Sequence, residues 1–225
     1  MYRFILFFFI LLFSPLPVYA QSDAIHGIDL SHFNGEVQWP VLRKLENRPH
    51  FIVLKATEGI DYLDPAFNDH WEAALQHGFI RGAYHFFVAH DDPIAEAQWY
   101  IKNVSLQKGD LYPIVDVERA TKNEKPGLKQ RLQQFLSYLE KHYGVAPIVY
   151  TGPNFWNTSI GGSIHDGELW IAQYEVDAPS IPIGWNDWSF WQFTQEGKIA
   201  GVEKPVDMNR FSHSRKEFDQ FRMKR

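Results

Sequence analysis

Short apolar runs rich in β-branched and aromatic residues recur along the chain. They predict eight strands, at 26–30, 51–56, 81–87, 112–118, 146–151, 169–174, 189–194 and 206–209. Helical spacing separates the early ones. Leu128, Leu132, Phe135, Leu136, Leu139 and Tyr143 fall on one helical face, and Gly144 ends the run. Asp64-Pro65 has the form of an N-cap followed by a first-turn proline and predicts a helix through Trp71 and Leu75 to Gly78. Asp92-Pro93 predicts another, through Ala97 and Ile101. Continuous apolar strands alternating with helices predict a parallel sheet. After Thr151 the connections turn rich in Gly, Asn, Asp and Pro, and the last three strands lack clear helices. The expected fold is therefore α/β, a modified TIM-like β/α barrel of eight strands with helices mainly after the first five. The chain is short beside the roughly 250 residues of a standard β/α barrel, consistent with lost helices. An open doubly wound sheet is the alternative arrangement. No repeat, low-complexity stretch or linker marks a second domain.

The start of the chain follows a different rule. Arg3 precedes an apolar run over 4–13, Pro15 and Pro17 break it, and Val18-Tyr19-Ala20 offers small residues where a signal peptidase reads. A signal peptide over 1–20 is expected, with 21–225 as a single domain. The run is about half of the roughly 20 residues a membrane-spanning helix needs, so an anchor is the weaker reading. The protein is expected to be exported, periplasmic or extracellular, with no membrane partner after processing. It contains no cysteine, so no disulfide stabilises it and the core must.

Net charge is −5, from 22 basic and 27 acidic residues. That argues against nucleic acid as a partner, because phosphate binding needs a basic surface. The tail is locally basic through Arg215, Lys216, Arg222, Lys224 and Arg225, which reads as a solvated helix end. The chain holds 8 Trp and 10 Tyr. Core packing accounts for many of these, and aromatic faces also stack on the C–H faces of sugar rings.

The candidate chemistry lies at strand ends, where a barrel of this type keeps its open mouth. The run Tyr112-Pro113-Ile114-Val115-Asp116-Val117-Glu118 ends in two carboxylates on one strand face, roughly 6.6 Å apart along the backbone. Two acids so close cannot both ionise freely. A protonated acid beside an ionised one is what cleavage of a glycosidic bond requires. Asp29 and Asp207 sit among apolar residues of the first and last strands, where an unpaired charge is costly. Lys55, Glu58, Tyr84, His85, Tyr150, Tyr174 and Trp191 fall at the ends of other strands and are candidate substrate contacts. Plainer roles exist for each. Asp29 and Asp207 can pair with Lys55 or Arg210, His85 can be a satisfied core histidine, Tyr84 and Trp191 can be core or rim, and Asp64, Asp91 and Asp92 can be helix caps. The histidines show no HExxH and no tight cluster with Asp, there is no GxSxG and no phosphate loop, so no metal or cofactor is expected.

Seven blocks in order resemble the glycoside hydrolase family 25 muramidases, also called Chalaropsis-type or cellosyl-type lysozymes. They are Gly27-Ile28-Asp29-Leu30-Ser31, Lys55-Ala56-Thr57-Glu58-Gly59, Gly82-Ala83-Tyr84-His85-Phe86, Val115-Asp116-Val117-Glu118, Leu169-Trp170-Ile171-Ala172-Gln173-Tyr174, Trp191-Gln192-Phe193-Thr194 and Val206-Asp207-Met208-Asn209-Arg210-Phe211. The resemblance implies a barrel with five helix-bearing units and three further strands. It implies cleavage of the β-1,4 bond between N-acetylmuramic acid and N-acetylglucosamine in peptidoglycan by the single catalytic domain, which is expected to be a monomer. By motif, Glu118 matches the general acid, Asp116 its partner, and Asp29 and Asp207 the other two acids of the cleft. Asn34 and Phe193 stand where Gln and Tyr are common in the family. A glycan-binding barrel without activity and a chitinase-like hydrolase are the rival readings.

Overall fold

Residues 25–164 and 166–224 are described by the computed structural model, so the expected leader over 1–20 lies outside the described residues. The strands are β1 (His26–Leu30), β2 (Phe51–Glu58), β3 (Tyr62–Leu63), β4 (Ile80–Phe86), β5 (Ile114–Asp116), β6 (Ile148–Thr151), β7 (Leu169–Ala172), β8 (Phe190–Gly197) and β9 (Val206–Phe211). The helices are α1 (Trp39–Lys44), α2 (Phe67–Gln76), α3 (Pro93–Asn103), α4 (Leu128–Tyr143), α5 (Pro153–Ser159) and the short α6 (Arg215–Phe218). The sheet runs β1-β9-β8-β7-β6-β5-β4-β2, and a β1–β2 pairing closes it, which rules out the open sheet. The two-residue β3 folds back onto the end of β2. Helices α1 to α5 follow the first five barrel strands, and no helix lies between β7, β8 and β9.

The expectation of a parallel sheet fails at its last member. β9 pairs antiparallel with both β1 and β8. A parallel return needs a crossover of a dozen or more residues, and only a short loop joins β8 to β9. The reversal matters for chemistry. It brings the start of β9, not its end, to the open mouth, and Asp207 pairs in register with Asp29.

Alternation along each strand sorts residues into two layers. One face packs under the helices with Ile28, Leu30, Ile52, Leu54, Val115, Val117 and Val149, against Leu132, Phe135 and Leu139 of α4. The other face fills the barrel with Phe51, Val53, Ile114, Ile148, Trp170 and Phe190. The lower end is plugged by Phe211, Phe218 and Phe221, with ring centroids of Phe211 and Phe218 5.2 Å apart. The basic tail is thus partly structural: Arg222 donates to the Gly109 carbonyl and to Asp219.

Local signals explain the helix boundaries. Asp92 caps α3 by accepting from the Ile94 and Ala95 amides at 2.9 Å each, with Pro93 in the first turn. Gly144 ends α4 at a φ of 74°, which a side chain rarely adopts. Asp64 does not cap α2. Its carboxylate accepts from the Ala66 amide and takes His32 Nδ1 at 2.7 Å, so the helix starts only at Phe67.

Candidate active site

The upper end of the barrel is unplugged and holds a polar cleft. Asp29, Tyr84, Asp116, Glu118, Tyr150, Trp170, Tyr174, Gln192, Gln195 and Asp207 line it. All four acids named from the sequence meet here, although β5 ends at Asp116 and Glu118 lies just beyond it. Alternation explains the convergence. Asp29 shares its face with Gly27, Tyr150 with Ile148, Gln192 with Phe190, and each lies one step above the apolar filling.

Asp29 is the most tightly held of the four. Its Oδ2 accepts from Gln192 Nε2 at 3.0 Å and from Asn209 Nδ2 at 2.8 Å. Both donors are themselves oriented. Asn209 Oδ1 accepts from Trp170 Nε1 at 2.9 Å, and Gln192 Oε1 accepts from the hydroxyls of Tyr150 at 2.8 Å and of Tyr174. These amides cannot titrate, so they fix one acceptor face on Asp29 at every pH. Burial raises the Asp29 carboxyl, and the two amide bonds and a bond from Asp207 oppose the rise. Asp207 is pushed up to about 8, first by burial and then by the charge of Asp29. Asp207 therefore keeps its hydrogen through neutral pH and donates it to Asp29.

That assignment has a stability consequence. Asp207 has an ordinary value of 3.8 and a folded value raised to about 8, so its contribution is fully present below pH 3.8 and is lost as pH rises toward 8. Asp207→Asn keeps a donor toward Asp29 but does not titrate. Across this pH window the original protein is expected to lose stability relative to the variant, and the two should converge in acid. Urea unfolding at several pH values measures this, and parallel curves would refute it.

The second pair sits across the cleft. Asp116 is buried, and its Oδ1 has no hydrogen-bond partner among the described residues. Burial raises Asp116 well above its ordinary value, the charge of Glu118 adds to this, and Lys55 and Arg119 offset part. Glu118 is also raised by burial, and Arg119, with Nε 3.6 Å away, opposes the rise. The pair thus holds a hydrogen more readily than isolated carboxylates do.

The other candidates divide. Tyr84, Tyr150 and Tyr174 line the cleft. Lys55 and Glu58 stand just outside it, ion-paired to each other, with Lys55 over the rings of Tyr62 and Phe86. A bulge between Lys55 and Thr57 turns Glu58 back to the Lys55 side. His85 and Trp191 are not in the cleft. His85 points the opposite way from Tyr84, fully buried, with Thr57 Oγ1 2.8 Å from Nδ1 and Glu96 Oε2 2.9 Å from Nε2. Its surroundings lower it to about 3, so it is a neutral core histidine that braces β2, β4 and α3. Trp191 packs outside the barrel with Leu169 and Ile171 and donates to the Gln173 carbonyl at 2.7 Å. Trp170, Gln192, Gln195 and Asn209 take part in the site without having been singled out for it. Face alternation from Tyr174 and Asp207 was the signal for Trp170 and Asn209. Among the described residues no group of three or more His, Asp or Glu is arranged to hold a metal ion.

Comparison with known proteins agrees with this geometry. The family model for glycosyl hydrolases family 25 matches residues 28–202. The uncharacterized protein YegX of Escherichia coli (strain K12) is 33% identical over 206 residues, covering 89% of this chain and 74% of its own. Lysozyme M1 of Streptomyces globisporus is 30% identical, covering 87% and 70%. The structure of a family 25 glycosyl hydrolase from Bacillus anthracis superposes with a TM-score of 0.79 at 30% identity, over 88% of this chain and 94% of that one. On the strength of the family match and of these relatives, the chain belongs to glycosyl hydrolases family 25 and is a glycoside hydrolase.

Proposed function

We propose that this chain is an exported muramidase that hydrolyses the β-1,4 bond between N-acetylmuramic acid and N-acetylglucosamine in peptidoglycan. The observation that carries the reading is the meeting of four carboxyl groups in one cleft, with a buried, unpartnered oxygen on Asp116. The names of relatives such as Lysozyme M1 support the substrate. Export rests on the sequence of residues 1–20 alone. Among the described residues no helix is long and apolar enough to cross a membrane.

On this reading Glu118 is the general acid. It stands at the cleft edge with a third of its side chain exposed, where a bridging oxygen can reach it, and burial favours its protonated form. Asp116 lies deeper. Its free Oδ1 suits the amide N–H of a substrate N-acetyl group, which would orient that group to attack the sugar carbon as the bond breaks. This is a substrate-assisted route, an exception to the two-carboxylate scheme. Asp29 and Asp207 hold the base of the cleft in one protonation pattern. Tyr84, Tyr150 and Tyr174 are proposed as walls for the sugar, and Lys55 and Glu58 as groups that shape its edge.

The test is digestion of purified peptidoglycan followed by reduction and mass analysis of the fragments. Fragments ending in reduced N-acetylmuramic acid are expected. Fragments ending in reduced N-acetylglucosamine, or intact strands that merely bind, would overturn the reading.

A further inference from the structure

On the helix side of the sheet, away from the cleft, two ionisable side chains are fully buried and take no part in the chemistry. They are Glu96, in the first turn of α3, and His85 of β4. Glu96 Oε2 accepts from the Val88 amide at 2.8 Å and lies 2.9 Å from His85 Nε2. His85 Nδ1 lies 2.8 Å from Thr57 Oγ1 on β2. Glu96 Oε1 is buried with no hydrogen-bond partner among the described residues.

We infer that Glu96 is a positioning residue for the acidic cleft: in its neutral form it holds the β4–α3 connection in place, and on losing its hydrogen it lets that connection go. The inference rests on the muramidase reading above. The bonding pattern selects the neutral form. An ionised Glu96 would leave Oε1 buried, charged and without a donor, which is costly. A neutral carboxyl leaves only a carbonyl oxygen there. Its Oε2–H then donates to His85 Nε2, and His85 Nδ1–H donates to Thr57 Oγ1, so each remaining group has a partner.

The surroundings agree. His85 supplies no balancing charge, since burial and the charge of Lys55 on β2 lower it to about 3. α4 meets His85 with the uncharged ring of Phe135, stacked at 4.9 Å, and α3 adds Tyr100 at 6.2 Å. Asp91 and Asp92 bring negative charge from the connection itself. A helix start favours an anion, but Asp92 already supplies one there as the cap. Burial and these two aspartates raise Glu96 to about 8, against the opposing bond from Val88. Its ordinary value is 4.5, so its stabilising contribution is complete below that pH and is lost as pH rises through 8.

The coupling to the cleft runs through residues 86–88. The Phe86 carbonyl accepts from the Gly59 amide at 3.2 Å, just past β2, and the Phe87 amide donates to the Asp116 carbonyl at 2.9 Å. The Val88 amide is the anchor that Glu96 supplies. The Phe86 ring also seats two cations, Lys55 Nζ at 5.2 Å and Arg119 Cζ at 5.3 Å from its centre. Those cations lower both Asp116 and Glu118. A charge on Glu96 must be hydrated, and water reaches it by displacing this connection. The displacement moves Phe86, its two cations and the backbone contact to Asp116 together.

Asp207 titrates in the same range, so activity alone does not single out Glu96. Two variants of the full chain do. Glu96→Gln cannot ionise, and its carbonyl still accepts from Val88. Asp91→Asn keeps Glu96 and removes a charge that raises it. The Val88 amide resonance is followed between about pH 6 and pH 10, together with initial rates on glycan strands. The original protein is expected to show a Val88 step near pH 8, Glu96→Gln no step, and Asp91→Asn a step at lower pH. Above the step, the rate of Glu96→Gln relative to the original should rise about tenfold per pH unit. Recovery of the rate on return to neutral pH separates release from unfolding. If Glu96→Gln does not fold, the displaced step in Asp91→Asn decides the matter. A missing Val88 step in the original, or a step with a flat rate ratio, would overturn the role of Glu96 while the muramidase reading stands. If the original cuts no strands, the muramidase reading falls, and the Val88 step still decides whether Glu96 holds the connection.

Discussion

Replacing Glu118 with Gln is expected to lower turnover on peptidoglycan strands about a thousandfold, in the middle of the range for losing a general acid. The amide has the shape of the protonated carboxyl but no acidic proton to transfer. The fold should survive, because Glu118 is partly exposed and its ion pair with Arg119 is long at 3.6 Å. Burial already disfavours the charged carboxyl, so a neutral amide should leave stability at neutral pH unchanged or slightly higher. Initial rates on solubilised strands, with thermal unfolding of both proteins as a control, measure the effect. Turnover within tenfold of the original, in a folded variant, would remove Glu118 from its role.

The electrostatics raise a question that this experiment addresses. Burial raises both Asp116 and Glu118, so in the unliganded cleft the two compete for one hydrogen. Binding decides that competition on our reading. A sugar covering Glu118 removes its remaining solvent and raises it further. An amide N–H donated to Asp116 Oδ1 lowers Asp116, since a bond to the charged form favours it. The hydrogen then resides on the group next to the bridging oxygen. Substrate binding thus completes the acid, and the pair needs no other switch.

How much of this was legible in the chain depends on which rule governed each residue. The barrel strands and the helices α2, α3 and α4 followed from sequence pattern, because each strand is buried on both faces and each helix on one, whereas the count of five helix-bearing units came with the family resemblance. The four acids followed because ionisable residues inside apolar strands have few other places to go. The direction of β9 did not follow, since an apolar run looks the same in either sense and only the missing crossover betrays it. His85 and Trp191 were chosen for their chemistry and their position near a strand end, when the face they occupy decides the matter. His85 alternates with Tyr84, and Trp191 with Gln192, so in each pair only one member can point into the cleft. Asp64 had the sequence of a cap and serves as the partner of His32, because tertiary contact outweighed a local preference.

The largest effect on stability is expected at Arg81, a residue with no part in the cleft. It lies on the helix side of β4, almost fully buried, and grips Asp110 with Nε at 2.7 Å and Nη2 at 3.2 Å. Its Nη1 donates to the Trp71 carbonyl at 2.9 Å, and its guanidinium lies 3.9 Å from the Trp71 ring centre. One side chain thereby joins α2, β4 and the segment leading into β5. Arg81→Met keeps the packing volume but strands the Asp110 carboxylate, whose remaining partner is the Gln107 amide at 2.7 Å. Removing one partner of a buried pair costs about 3–5 kcal/mol, because the other charge is left uncompensated. For a chain of this size that corresponds to a fall in melting temperature of roughly 6–20 °C. Adding Asp110→Asn removes the stranded charge and keeps an acceptor for Gln107, so the double variant should recover a substantial part of the loss. Urea unfolding of the four proteins forms a closed cycle that isolates the pair. A single-variant loss below about 1 kcal/mol would mean the carboxylate finds another partner or water, and the pair would count as an ordinary surface bridge.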